Sequence, residues 1–249
     1  MAQILMPIPA SDFDTTETAV PWRILSAAGH TLVFATPEGK AGQADARMLN
    51  GQGLGLLAPL LEADANGRQA YEAMRQAPAF RQPLAWSDIR TENFDALLLP
   101  GGHAPGMRPY LESALLQARC TEFFEQHKPV GAICHGVLLA ARSRMAGGRS
   151  VLFGKKTTAL TRHMELGAWA LTCAWLGNYY RTYPQTVQGE VGGALAARSD
   201  FIAGPASVRR DAPHHLEAGF TVADGHYLSA RWPGDAHRFA TEFAALCRA

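Results

Sequence analysis

The sequence predicts an α/β protein built on a mainly parallel sheet with helices on both faces. Three observations predict it. Strand-like runs alternate with helical stretches along the whole chain; the chain opens in β-loop-α-β order; and the runs at 94–100 and 130–133 are apolar apart from Asp95, as strands buried on both faces are.

Residues 3–8 (QILMPI) read as a short buried strand, which Pro7, Pro9 and the polar stretch Ser11-Asp12-Phe13-Asp14 turn into a loop. A helix is expected to begin near Thr16 or Thr18, whose hydroxyls are available as caps. Val20, Ile24 and Ala27 then recur at helical spacing, and Gly29 supplies the stop. Residues 31–36 form a second β-type run, closed by Pro37-Glu38-Gly39. Residues 40–90 are Gly- and Ala-rich with weak periodicity, their middle (63–76) reading as one or two helices. We take this stretch, and another at about 180–215, as excursions from the sheet. Gly53-Leu54-Gly55 follows no clear strand and lacks a third glycine, which argues against a dinucleotide site.

Past these, 94–100 is an apolar strand with Gly101-Gly102 as its exit turn. Leu116, Cys120 and Phe123 mark one face of the next helix. Residues 130–133 form a strand that runs directly into Cys134. A further strand is expected at 157–160, a helix at 165–176, a hairpin of 220–223 with 227–230 joined by Asp224-Gly225, and a closing helix at 235–247. With no internal repeat, one domain over 1–249 accommodates these elements.

Composition narrows the function. The 249 residues are 47% hydrophobic and 18% charged with a formal net charge of +1, an ordinary globular balance that leaves no electrostatic footprint for nucleic acid or an anionic membrane. The longest apolar runs, 96–100 and 137–141, fall far short of the roughly 20 residues of a membrane span. No positive segment precedes the apolar start of the chain, so no secretory signal is expected and a cytoplasmic location is the default. The four cysteines are widely spaced with no CxxC, against a zinc knuckle or disulfide scaffold. Cys120 and Cys173 fall at core-like helical positions and read as inert. His214-His215 with Glu217 read as a solvated loop rather than a metal site, and no metal or cofactor is expected.

The chemistry points to VGAICHGVLL. A nucleophile elbow needs an apolar strand, one sharp strained turn and a helix, with small residues two positions either side of the nucleophile; Ala132 and Gly136 meet that demand around Cys134. A thiol there lies at a helix N-terminus, where the dipole favours thiolate. The opposing reading is an inert buried cysteine. Gly101-Gly102 ends the preceding strand. A right-handed crossover puts both strand ends at one sheet edge, where the Gly102 and His135 amides are expected to converge on a developing oxyanion; a plain Gly-Gly turn is the alternative.

The run DALLLPGGHAPG, followed one helix later by VGAICHG, resembles the ThiJ/PfpI family of the class I glutamine amidotransferase-like superfamily. DTTETAVPWRILSAAGHTLVFATPEG resembles that family's first β-loop-α-β unit, and DGHYLSARWPGDAHRFATEF its terminal hairpin and helix. The resemblance covers nearly the whole chain and implies a flavodoxin-like sandwich, a cysteine nucleophile elbow and a homodimer. It implies that Glu17 brings its carboxyl to Cys134. Beside a thiolate that carboxyl should hold its proton and act as acid and base; otherwise Glu17 is a first-turn glutamate favoured by the helix dipole. His135 is implied as the histidine of a loose Cys-His-acid set, through its ring or only through its amide. Glu165 is the acid candidate for orienting it, or else a charge on the next helix. His103 is either a substrate contact or a polar loop residue, and Trp232-Pro233 either a pocket wall or a turn.

The resemblance thus implies a cofactor-independent cysteine enzyme acting on a small carbonyl or amide-like substrate. Glyoxalase III-type conversion of methylglyoxal to lactate without glutathione leads, with related hydrolases and hydratases beside it. Glutamine amidotransferase chemistry is the second reading. It needs a His-x-Glu pair near the chain end; His215-Leu216-Glu217 has that spacing but precedes the terminal hairpin. A redox sensor or stress chaperone that turns nothing over is the third, because a low thiol pKa serves sensing as well as catalysis.

Overall fold

A computed structural model describes residues 1–248. β1 (Gln3–Pro7) leads through a loop into α1 (Thr15–Ala27), β2 (Thr31–Thr36), α2 (Ala65–Gln76), β3 (Leu84–Ala85), β4 (Ala96–Leu99) and α3 (Ala114–Glu125). Then follow β5 (Val130–Ile133), α4 (Gly136–Arg142), α5 (Arg162–Leu176), α6 (Val187–Ala194), the hairpin β6 (Thr221–Asp224) and β7 (Tyr227–Ala230), and α7 (Ala236–Leu246).

The seven strands lie in the order β3-β2-β1-β4-β5-β7-β6, all parallel except β6 against β7. β1, β4 and β5 are central, and Ile4, Leu5, Leu97, Leu98, Val130 and Ile133 are almost wholly buried. Their continuous apolar character follows from helices on both faces, with α1 and α7 packed together. The central order β2-β1-β4-β5-β7 with helices on both faces makes this a flavodoxin-like α/β sandwich. No helix of the described residues is long and apolar enough to cross a membrane.

Three expectations change. α1 begins at Thr15 and is capped by Asp14, whose Oδ1 accepts the amides of Thr16 and Glu17 at 2.8 and 2.9 Å. The hydroxyls of Thr15, Thr16 and Thr18 are instead buried without partners; a carboxylate meets two amides at once, which a threonine further into the helix does not. Residues 157–160 are not a strand. Only Thr157 forms a bridge, to Phe201, while its hydroxyl and the Thr158 amide bond to Ser229 Oγ at 3.2 and 2.9 Å. Cys173 is half-buried rather than in the core.

The excursion at 40–63 returns to the sheet edge. Gln43–Ala44 pairs with Ser11–Phe13, and a second small apolar cluster joins Met48 and Leu54 to Ala104, Tyr179 and Tyr180.

Candidate active site

The chain leaves β1 for β2 on one side of the sheet and β4 for β5 on the other, so the order reverses between β1 and β4. Ligand sites of open parallel sheets form outside the carboxyl strand ends at such a point. The first turn of α1, the loop after β4 and the junction between β5 and α4 meet there.

Cys134 is that junction, with φ at +56°, left-handed backbone that few non-glycine residues adopt. It is held by a bond from its N–H to the Ala230 carbonyl at 3.0 Å and one from the Leu138 N–H to the His135 carbonyl at 2.9 Å. One left-handed residue swings the chain from strand to helix. The small residues around it are steric necessities. A Cβ on Gly136 would run into the Leu99 carbonyl oxygen, and one on Gly101 would lie 2.5 Å from Glu17 Oε2 and 2.9 Å from the His135 nitrogen.

Glu17 is 1% exposed, and its carboxyl faces the Cys134 sulfur and the Gly101 N–H. Neither oxygen has a hydrogen bond of regular geometry, so the carboxyl is held by proximity rather than by a tight pair. Burial, then the Asp14 charge, raises Glu17 well above the usual carboxylate range. Burial also raises the Cys134 thiol, with Glu17 and Asp14 adding to it; the facing His135 N–H lowers it by less. The expected lowering of the thiol by the helix dipole is therefore outweighed by desolvation. Two such groups in one dry pocket cannot both ionise, and they titrate as a coupled unit.

His135 is fully buried. Its Nδ1 lies 3.4 Å from Cys134 Sγ and its Nε2 3.0 Å from Thr182 Oγ1. Thr182 donates its hydroxyl proton to the His103 carbonyl at 2.6 Å. With that proton committed, Oγ1 accepts from Nε2–H, which leaves the Nδ1 lone pair facing the sulfur. Burial lowers His135 to about 3, so the ring is neutral at physiological pH. His103 stacks on Tyr180 with centroids 4.4 Å apart and meets Tyr179 edge-on at 4.8 Å. Its Nε2 is buried without a partner, and burial lowers it to about 4.

The structure therefore brings Glu17, Gly101, His103, Cys134 and His135 together. One placement differs from expectation. Glu165 does not reach His135: its carboxylate accepts the Val187 amide at 2.8 Å and lies 3.3 Å from the Arg181 guanidinium. Glu165 sits in the first turn of α5, against the start of α6 and Arg181, and is committed there. A Cβ on Gly102 would meet the Asp12 carbonyl, the Asp14 amide and Met107, and one on Gly101 the Glu17 carboxyl and the His135 amide, so the Gly-Gly turn is packed between the start of α1 and the Cys-His junction.

Sequence reasoning missed Thr182, Asp14, Tyr179 and Tyr180. Asp14 had a readable signal, an Asp three residues ahead of an acidic residue at a helix start. Thr182 and the tyrosines sit in a loop with no periodicity to mark them. Among the other candidates, Cys120 is fully buried and pushed up to about 12. His215 and Glu217 pair with each other at 2.6 Å on an exposed loop. Among the described residues, no three His, Cys, Asp or Glu side chains are placed to share a metal ion.

The sequence model described as ThiJ/PfpI family-like matches residues 8–205. Deglycase TK1284 of Thermococcus kodakarensis is 28% identical over 205 residues, covering 78% of this chain and 92% of that protein. Deglycase PfpI of Pyrococcus furiosus is 24% identical over 244 residues, 97% of each. The crystal structure of glyoxalase III from Candida albicans superposes with a TM-score of 0.68 at 20% identity, over 98% of this chain and 96% of that one. A family match that runs from the end of β1 past α6, and so takes in both the Gly-Gly turn and the Cys-His junction, shows that this chain belongs to the ThiJ/PfpI family.

Proposed function

We propose that the chain is a cofactor-independent cysteine enzyme that converts a small reactive carbonyl compound, with Cys134 as nucleophile and Glu17 as proton carrier. The observation that carries this reading is the Cys134 sulfur buried against the Glu17 carboxyl, in a pocket where only one of the two can be charged. Relatives named deglycase and glyoxalase III support the carbonyl class.

For an α-oxoaldehyde such as methylglyoxal the steps balance without a cofactor. The thiol proton passes to Glu17 and from there to the aldehyde oxygen as the sulfur adds to the aldehyde carbon, which gives a hemithioacetal and leaves Glu17 a carboxylate. Glu17 moves the C1 proton to C2 through an enediol, forming a thioester of the 2-hydroxy acid. Water cleaves the thioester, releasing lactate and restoring the thiol. The His135 N–H, at the turn beside the sulfur, is the donor available to the developing oxyanion, and the neutral His135 ring accepts from the thiol. Amidotransferase chemistry draws no support from His215 and Glu217, which engage each other at the surface.

The test is consumption of methylglyoxal, glutamine and an isonitrile by the parent, Cys134→Ala and Glu17→Gln proteins. Methylglyoxal should be consumed, and Cys134→Ala should abolish it. Glu17→Gln should lower kcat by about 10²–10⁴-fold, as expected for a lost general acid–base group, yet leave Cys134 open to alkylation. Full turnover in Glu17→Gln would remove Glu17 from the chemistry. A Cys134 that oxidises while consuming none of the three would favour the sensor reading.

A further inference from the structure

Around the reactive thiol lies a set of polar groups that the proposed steps do not use. Trp232 leaves the end of β7, the strand whose Ala230 carbonyl holds the Cys134 amide, so it stands at the same sheet edge. Its indole Nε1 is buried without a partner, as are the Tyr180 hydroxyl and Arg47 Nε. Indole and guanidinium nitrogens only donate, and a phenol donates readily. Burying such donors unpaired is unfavourable, and a ligand with acceptor oxygens would relieve it.

Two guanidiniums flank this wall. The Arg210 guanidinium lies 5.7 Å from the Trp232 ring centroid and Arg47 4.6 Å from that of Tyr179, the ring that meets His103 edge-on. Both are half-buried, and among the described residues neither pairs with a carboxylate. The Arg210 side chain bonds only to the Leu60 carbonyl, at 3.2 Å. The nearby acids are turned inward as helix caps. Asp14 holds the Thr16 and Glu17 amides, and Asp45 holds the Arg47 amide and the Tyr179 hydroxyl. Arg47 and Arg210 both act on the Tyr180 hydroxyl, against Asp45 and Asp14, so two guanidiniums gather with the unpartnered donors around Tyr180.

We propose that the substrate of this site carries a carboxylate as well as its reactive carbonyl, the carboxylate docking on Arg210, Arg47, Trp232 and Tyr180 while the carbonyl carbon faces Cys134. This rests on Cys134 being the nucleophile and narrows the substrate class to oxo acids of small size. Neutral methylglyoxal reacts but leaves the donor wall unfilled; an aldehyde acid such as glyoxylate fills it.

Iodoacetate and iodoacetamide test the subsite without turnover, because they share a leaving group and nearly a size and differ in charge. Cys134 alkylation, followed by intact mass, should saturate with iodoacetate and run about tenfold or more faster than with iodoacetamide, one charge-assisted contact's worth of binding. Arg210→Gln and Arg47→Gln should each reduce that preference, whereas Arg149→Gln, on a surface arginine stacked over Phe153, should leave it unchanged. Faster reaction with iodoacetamide in the parent, or a preference that survives both replacements, overturns the proposal. Cys134-dependent methylglyoxal consumption with no iodoacetate preference would retain the carbonyl chemistry and remove this subsite. An iodoacetate preference without consumption of methylglyoxal or glyoxylate would retain the subsite and remove the enzymatic reading.

Discussion

Asp14 joins local structure to the chemistry of the site through one carboxyl group. It caps α1, which sets the direction in which Glu17 leaves the first turn, and its charge is the second cause of the raised Glu17 carboxyl. Burial raises Asp14 itself from 3.8 to about 6, against lowering by the Glu17 and Thr16 amides and by Arg210; Asp45 pushes it slightly further up. An Asp that ionises later in the folded chain than in the unfolded one adds stability below the unfolded value and loses it as pH rises through the folded one. Asn accepts the same two amides but does not titrate. Asp14→Asn should therefore gain about 3 kcal/mol relative to the parent between pH 3 and pH 8, at about 1.4 kcal/mol per pKa unit. Urea unfolding at the two pH values checks this, and a difference that does not change with pH would contradict it.

The strand–turn–helix element around Cys134 is narrow because β4, β5 and α4 converge within contact of each other. Ala132 stands in register with Leu99, whose carbonyl occupies the space a Gly136 side chain would need. Gly136→Ala should thus cost about 1–3 kcal/mol or more, as overpacking against backbone does, and should turn α4 away from the junction. The expected signature is a lower urea midpoint together with a Cys134 alkylation rate altered by more than the stability loss explains. A variant with parental stability would mean that α4 has room to move. The same crowding explains Gly101, which leaves the Glu17 carboxyl its place beside the sulfur.

On the scale of the molecule, the site depends on how its far end is tied to the sheet. Arg231 and Asp235, both fully buried, form a two-bonded pair at 2.9 and 2.8 Å, and Arg231 also holds the Pro205 carbonyl at 2.6 Å. The pair fastens β7 and α7 to the segment at 201–215 that carries Arg210. Arg231→Leu would leave Asp235 buried without its partner, a loss of about 3–5 kcal/mol for a broken interior ion pair. The urea midpoint should fall accordingly with an unchanged slope; a loss below about 1 kcal/mol would show that Asp235 is satisfied by the Phe220 and Arg231 amides, which it accepts at 2.8 and 3.1 Å.

Much of this was legible in the sequence, and the residues that were not legible share a cause. Apolar runs, β-loop-α-β order and the small residues about Cys134 are local properties, written by burial on two faces and by backbone geometry, so strands 31–36 and 130–133, the hairpin and the Cys-His junction could be read directly. The meeting of Glu17 with Cys134 was readable only through family resemblance, because 117 positions of chain separate them and no spacing rule links the ends of different strands. Tertiary structure alone decided the rest. It gave His135 to Thr182 instead of Glu165, which the Val187 amide and Arg181 hold elsewhere. It also brought irregular segments together, setting Arg47 over Tyr179 and both Tyr179 and Tyr180 against His103. The sequence by itself determined the sheet and the place of its left-handed Cys134 turn, since periodicity and sterics act between near neighbours; which loop groups surround that turn was decided only when packing closed the chain.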